Sequence, residues 1–136
     1  MATHPSKRSP ADTVPPPLHE LESEVMEQLW RSGEAAVRSV MDALNQRTSP
    51  VRAYTTYMTV MARLHKKNML VRRREGKTDF YTPAYDRDEY MALRAQAQVE
   101  DLVAQYGDVA LSHFAQQMSE LDPARRRALQ RQARKG

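Results

Sequence analysis

The 136-residue chain contains no cysteine. That excludes disulfide bridges, thiolate metal centres and a cysteine nucleophile, and it suits a reducing compartment. Glycine is scarce: Gly33, Gly76, Gly107 and Gly136 lie far apart, so no glycine-rich loop can cradle a phosphate. His4, His19, His65 and His113 are scattered, with no i, i+4 pair, no H-E-x-x-H and no zinc spacing, so no metal or cofactor is expected. No apolar run approaches the roughly 18 residues of a membrane span, and the start has no apolar h-region. These absences describe a soluble, cytoplasmic protein that is not an enzyme and has no membrane partner.

Charge is present in quantity but unevenly placed. The net charge of +4 conceals −4 over residues 18–46, +8 over 47–77, −7 over 78–124 and +6 over 125–136. Such blocks are expected where one face must meet a polyanion and the others must not stick to it. Glu20, Glu22, Glu24 and Glu27 resemble an acid cluster, but carboxylates in the first turns of a helix are accounted for by its dipole.

Residues 1–17 carry five prolines and no aromatic residue, and are expected to be a disordered tail. From Leu18 the apolar residues recur at helical steps: Leu18, Leu21, Val25, Met26, Leu29 and Trp30, with Gly33 as the stop. A second stripe, Val37, Val40, Met41 and Leu44, predicts a helix of about ten residues ending before the polar stretch Asn45 to Pro50. In AYTTYMTVMARLHKKN, Tyr54, Met58, Met61 and Leu64 fall on one side, with Thr55, Thr56, Thr59, Arg63 and Lys66 on or near the other. Asn68 is a helix stop able to turn left-handed, and MLVRRREGKTDFYTP reads as a hairpin turning around Glu75, Gly76 and Lys77. Beyond Pro83, Asp86 and Glu89 open another helix, Gly107 and Asp108 separate it from the next, and Asp122 with Pro123 starts a last one.

This order predicts a mainly α fold with a small β wing. A winged helix-turn-helix domain over residues 18–84 would be followed by a helical dimerisation domain over 85–136. The third helix offers hydroxyls that reach base edges, at Tyr54, Thr55, Thr56 and Thr59. Arg52, Arg63, Lys66 and Lys67 flank them for phosphates. In the wing, Arg72 and Arg74 share a face with Lys77 nearby and Arg73 takes the other, so one of the three is expected to be structural, paired with Asp79 or Glu75. The competing readings are a solvated helix face and an edge strand guarded by charge, although so many crowded cations exceed what edge protection needs. The stripes through Tyr90, Leu93, Leu102, Val103, Tyr106, Leu111, Phe114 and Met118 require a cover, and a second copy is the expected one. The cluster Arg125, Arg126, Arg127, Arg131, Arg134 and Lys135 is read either as a solubilising helix or as a further phosphate contact. Two functions are carried forward: a homodimer binding a double-stranded inverted-repeat operator, and a dimeric interaction module docking an acidic protein partner.

At LHELESEVMEQLW and AYTTYMTVMARLHKKNMLVRRREGKTDFYTP the sequence resembles the penicillinase repressor family of bacterial transcription factors, the BlaI/MecI/CopY group, over about residues 18–118. Its most specific element is Ala53 to Asn68 with a Y-T-T-x-x-T core, followed by a leucine-valine-arginine wing. The resemblance implies a winged-helix operator-binding domain, a helical dimerisation domain from about Asp86, and repression by a homodimer. It matches Thr55, Thr56 and Thr59 to reading positions, Arg63 and Lys67 to the basic end of the helix, and Arg74 and Lys77 to the wing. Family members induced by β-lactam signalling are cleaved at an Asn-Phe bond. The corresponding place here is His113-Phe114, a departure that leaves an inactivating protease an open partner. Copper-responsive relatives use paired C-terminal cysteines, which this chain lacks.

Overall fold

A computed structural model describes residues 14–47 and 50–135. The chain divides into two compact units, Met1–Ala95 and Gln96–Gly136. Its elements in order are α1 (Glu20–Ser32), β1 (Ala35–Ala36), α2 (Val37–Arg47), α3 (Tyr54–Lys66), β2 (Leu70–Glu75), β3 (Thr78–Pro83), α4 (Arg87–Tyr106), α5 (Asp108–Ser119) and α6 (Pro123–Lys135).

In the first unit the helical stripes converge. Val25, Met26 and Leu29 of α1 bury against Val37, Val40 and Leu44 of α2 and against Tyr57, Val60, Met61 and Leu64 of α3. Burying a side chain of this size contributes about 1.5–3 kcal/mol, so three short helices that are marginal alone become stable together. Gly33 ends α1 at φ 82, donating its N–H to the Leu29 carbonyl at 2.7 Å. Asn68 takes φ 66 after α3, the left-handed stop expected of it.

The hairpin β2–β3 turns on two residues, since Glu75 pairs with Thr78, and Gly76 supplies the positive φ of 62. Glu75 therefore belongs to the strand and not to the turn. A third strand was not foreseen: β1 pairs with β3, giving the order β1-β3-β2. Two alanines between two helices carry no alternation, so the strand is set by its partner and has no signal of its own.

Three further expectations are corrected. α2 runs through Asn45, Gln46 and Arg47, because the Asn45 side chain serves the turn that follows while its backbone stays helical. The buried face of α3 is Tyr57, Val60, Met61 and Leu64, leaving Met58 44% exposed and Tyr54 40% exposed. The helix is thus rotated from the expected setting, and the fully buried Tyr57, whose hydroxyl bonds Asn45, fixes that rotation. Finally, the first unit continues past the hairpin. Tyr85 and Tyr90 are buried in its core, Leu93 packs against it, and Trp30 lies 5.4 Å from the Tyr90 ring while its Nε1 donates to the Tyr85 carbonyl at 2.8 Å.

Tyr90 and Leu93, expected at a subunit interface, are therefore core residues of the winged unit. The first turns of α4 lie against α1, and spacing alone cannot tell one apolar cover from another. The end of the proline-rich segment is also engaged: Pro15 is buried, its carbonyl accepts from Arg94 Nη1 at 3.1 Å, and the Pro16 carbonyl accepts from the Tyr90 hydroxyl at 3.2 Å. The expected disordered tail otherwise falls on residues 1–13, outside the described residues.

In the second unit, Gly107 at φ 59 joins α4 to α5, and Asp122 Oδ2 caps α6 by accepting from the Arg125 N–H at 3.1 Å. Only Ala110 is buried there among the described residues. Val103, Phe114 and Met118 are half-buried, and Leu102, Tyr106 and Leu111 are exposed. Among the described residues no helix is long and apolar enough to cross a membrane, and no group of His, Asp and Glu could hold a metal ion.

Candidate nucleic-acid interface

α3 presents an outward row of Thr55, Thr56, Thr59, Arg63 and Lys66, all exposed, with Met58 and Ala62 between them. The row is outward because the opposite face carries the buried residues at i, i+3, i+4 and i+7. Ala53 caps the helix without a side-chain bond, which leaves its first amides open to an acceptor from outside. Arg38, at the start of α2, places its guanidinium 5.4 Å from the centre of the Tyr54 ring. It adds a cation beside the N-terminus of α3. No local pattern marks Arg38 for this place, since its position depends on how α2 crosses α3.

What holds this row in place is a set of polar clamps. Asn45 makes three bonds at the turn into α3: Nδ2 donates to the Arg52 carbonyl at 2.9 Å, and Oδ1 accepts from the Arg52 N–H at 3.1 Å and from the Tyr57 hydroxyl at 2.8 Å. The carboxylates of α1 complete the frame. Glu24 faces Arg52 Nη1 at 3.5 Å, and Glu22, only 1% exposed, accepts from Lys67 Nζ at 2.8 and 3.1 Å and from the His19 N–H at 3.0 Å. Glu27 pairs with Arg87 at 3.0 Å. Burial alone would raise the Glu22 carboxyl, but the His19 amide and the Lys67 ammonium outweigh it and hold it below the ordinary carboxylate value. These glutamates therefore do more than complement a helix dipole. The two expected phosphate ligands Arg52 and Lys67 are turned towards α1 instead of standing free.

The wing sorts its arginines similarly. Arg73 grips Glu34 with two bonds of 3.0 Å, meets Glu75 at 2.6 Å and lies 4.8 Å over the Phe80 ring. Since Glu34 precedes β1 and Phe80 lies on β3, this arginine straps all three strands together. It is the structural one of the three, with Glu75 as one of the two partners foreseen and Glu34 as the one missed. Arg72 and Arg74 share the other face, opposite Tyr81 and Asp79. Arg74 stands 3.7 Å from Asp79, whereas Arg63, Lys66, Arg72 and Lys77 make no ion pair among the described residues. His65, in the last turn of α3, packs edge-on against Tyr81 of β3 at 6.5 Å. Burial and then the Arg72 charge push its imidazole below the ordinary value, with Asp79 pulling weakly the other way.

An outward helix of hydroxyls and cations, preceded by a helix that frames it and followed by a basic hairpin, defines a winged helix-turn-helix protein. Residues 18–135 match the penicillinase repressor family. The transcriptional regulator BlaI of Mycobacterium tuberculosis is 40% identical over 115 residues, 80% of each chain. The penicillinase repressor of Bacillus licheniformis is 29% identical over 84 residues, 60% of this chain and 62% of that one. The solution structure of the DNA-binding domain of the repressor BlaI aligns with 57% of this chain and 90% of its own, at 28% identity and a TM-score of 0.49. The chain belongs to the penicillinase repressor family, and at that level it is a DNA-binding transcriptional repressor.

Proposed function

We propose that this chain represses transcription as a two-fold homodimer on an inverted-repeat operator, with α3 in the major groove of each half-site and the wing on the adjoining backbone. The observation that carries the reading is the outward row of α3, where threonine hydroxyls stand next to cations that make no ion pair among the described residues. Thr55, Thr56 and Thr59 read base edges, and Met58 offers an apolar contact to a thymine methyl group. Arg63, Lys66, Arg72, Arg74 and Lys77 meet phosphates, joined by Arg38 and Tyr54 at the helix start. Arg52 and Lys67 act indirectly by fixing the ends of α3. Two such helices related by a dyad fit half-sites about 34 Å apart.

The exposed apolar residues Leu102, Tyr106 and Leu111, with half-buried Val103, Phe114 and Met118, support self-association through the second unit. Fluorescence anisotropy over a salt series tests the DNA reading. Arg72→Gln flattens the log–log slope by about 0.9 for each phosphate the side chain no longer neutralises, and it weakens all duplexes alike. Thr56→Ala instead reduces preference at particular base pairs. Equal loss on operator and random duplex for Thr56→Ala would remove the base-reading role. Sedimentation of Leu111→Lys checks the dimer, which is expected to dissociate at concentrations where the parent chain stays paired.

A further inference from the structure

The basic block at residues 125–136 is not absorbed by the winged domain. α6 has no buried residue, and Leu129 is its one large apolar side chain, so packing within the chain does not account for its presence. Its formation is local: Asp122 caps it, Pro123 opens it, and alanine, arginine and glutamine are good helix formers. Its cations are not spread evenly. At about 100° per residue, Arg127, Arg131, Arg134 and Lys135 fall within an arc of about 100°. Leu129 lies roughly opposite them. Arg126 lies off the arc, turned towards the carbonyls of Met118 and Leu121 at 3.5 and 3.4 Å, where it caps the end of α5. The four residues on the arc make no ion pair among the described residues.

Like charges at i, i+4 destabilise a helix unless an anion is present. The row from Arg127 to Arg134 is about 10 Å long at 1.5 Å per residue. Successive phosphates on one DNA strand advance about 3.4 Å along the axis, so a row of that length spans about three phosphate steps, and three long arginine side chains can each reach one of the phosphates along it. We infer that α6 is a second phosphate-binding element, a cationic rod that grips the backbone of duplex DNA independently of base sequence. This rests on the DNA-binding reading above and extends it to a surface outside the winged domain. The acidic residues of α4 and α5 in a second copy are the competing anion. The arc faces away from Leu129, so a dimer joined through apolar faces leaves it free for DNA.

The test uses the full chain and a random-sequence duplex titrated across a salt series, with sedimentation in the same buffers. The triple variant Arg127→Gln, Arg131→Gln, Arg134→Gln keeps helix propensity and is expected to flatten the slope by up to about 2.7 per protomer, with self-association unchanged. Lysine at the same three positions is expected to preserve the slope. Arg125→Gln, off the arc, is expected to leave it alone. A triple glutamine variant with the parent slope overturns the inference, as does an equal effect from Arg125→Gln. A triple variant whose dimerisation becomes weaker or loses its salt dependence also overturns it, by assigning the arc to the subunit contact. A parent chain that ignores duplex DNA in dilute salt sinks the DNA-binding reading itself, whereas the other outcomes leave that reading standing.

Discussion

Asn45→Ala removes one side chain and three hydrogen bonds from the turn that sets α3. Two of these go to the Arg52 backbone, which is partly solvated and can turn to water, so each costs about 0.5–1 kcal/mol. The third is different in kind. Tyr57 is completely buried, so its hydroxyl is left without an acceptor, a penalty of about 1–3 kcal/mol. The sum is roughly 2–5 kcal/mol, and near the middle of that range a domain of this size loses about 14–28 °C of Tm. Urea unfolding followed by circular dichroism measures it. Tyr57→Phe, which removes the orphaned hydroxyl, is expected to cost less, and the double variant is expected to fall short of the sum of the two singles by more than about 0.5 kcal/mol. Strict additivity, or a single-variant loss below about 0.5 kcal/mol, would refute the clamp and return Asn45 to the role of a linker residue.

Three other outcomes follow from the same contacts. Glu22 has a lowered carboxyl pKa in the folded chain, so its pairing with Lys67 stabilises above the ordinary carboxylate value of 4.5 and is lost as pH falls below it; Glu22→Gln is expected to lower the urea midpoint at pH 7 and to reduce its fall between about pH 5 and 3. His65 is also depressed, so the unfolded chain takes up the proton first and stability declines as pH drops below the ordinary imidazole value of 6.5; His65→Gln should abolish that step in a midpoint-against-pH series. Arg73→Gln releases the strap across the three strands, and is expected to raise hydrogen exchange at β1 and β3 while leaving the salt slope of DNA binding unchanged, in contrast to Arg72→Gln.

The legible parts of this fold were those in which one local pattern forces one outcome. Gly33, Asn68, Gly76 and Gly107 mark their stops and turns because positive φ is costly for other residues. The stripes of α1 and α2 and the cap at Asp122 are equally local. What could not be read depended on partners distant in sequence. β1 exists only because β3 lies beside it. Tyr90 and Leu93 carry the same spacing as the exposed residues of the second unit, but their cover is α1 and the winged core. The rotation of α3 is decided by one hydroxyl finding Asn45, which no periodicity reports.

The cations show most clearly how composition and architecture differ. Residues 47–77 contain nine of them, yet Arg52, Lys67 and Arg73 are held by Glu24, Glu22 and Glu34, and Arg47 donates to Gln28. Arg74 is partly offset by Asp79. Five remain without an ion pair among the described residues: Arg63, Lys66, Arg72 and Lys77, together with Arg47, whose partner Gln28 is neutral. A dimer presenting the proposed phosphate ligands Arg38, Arg63, Lys66, Arg72, Arg74 and Lys77 on both protomers would show a log–log salt slope of about −11. Three α6 arginines per protomer would add about −5, for a total near about −16. The slope therefore reports which cations the acidic frame leaves free, and it separates a winged domain acting alone from one assisted by α6. A value near about −16 that survives Arg127→Gln, Arg131→Gln, Arg134→Gln would mean that Glu24, Glu22 and Glu34 release Arg52, Lys67 and Arg73 when DNA arrives, and the frame described here would then be a latch rather than a scaffold.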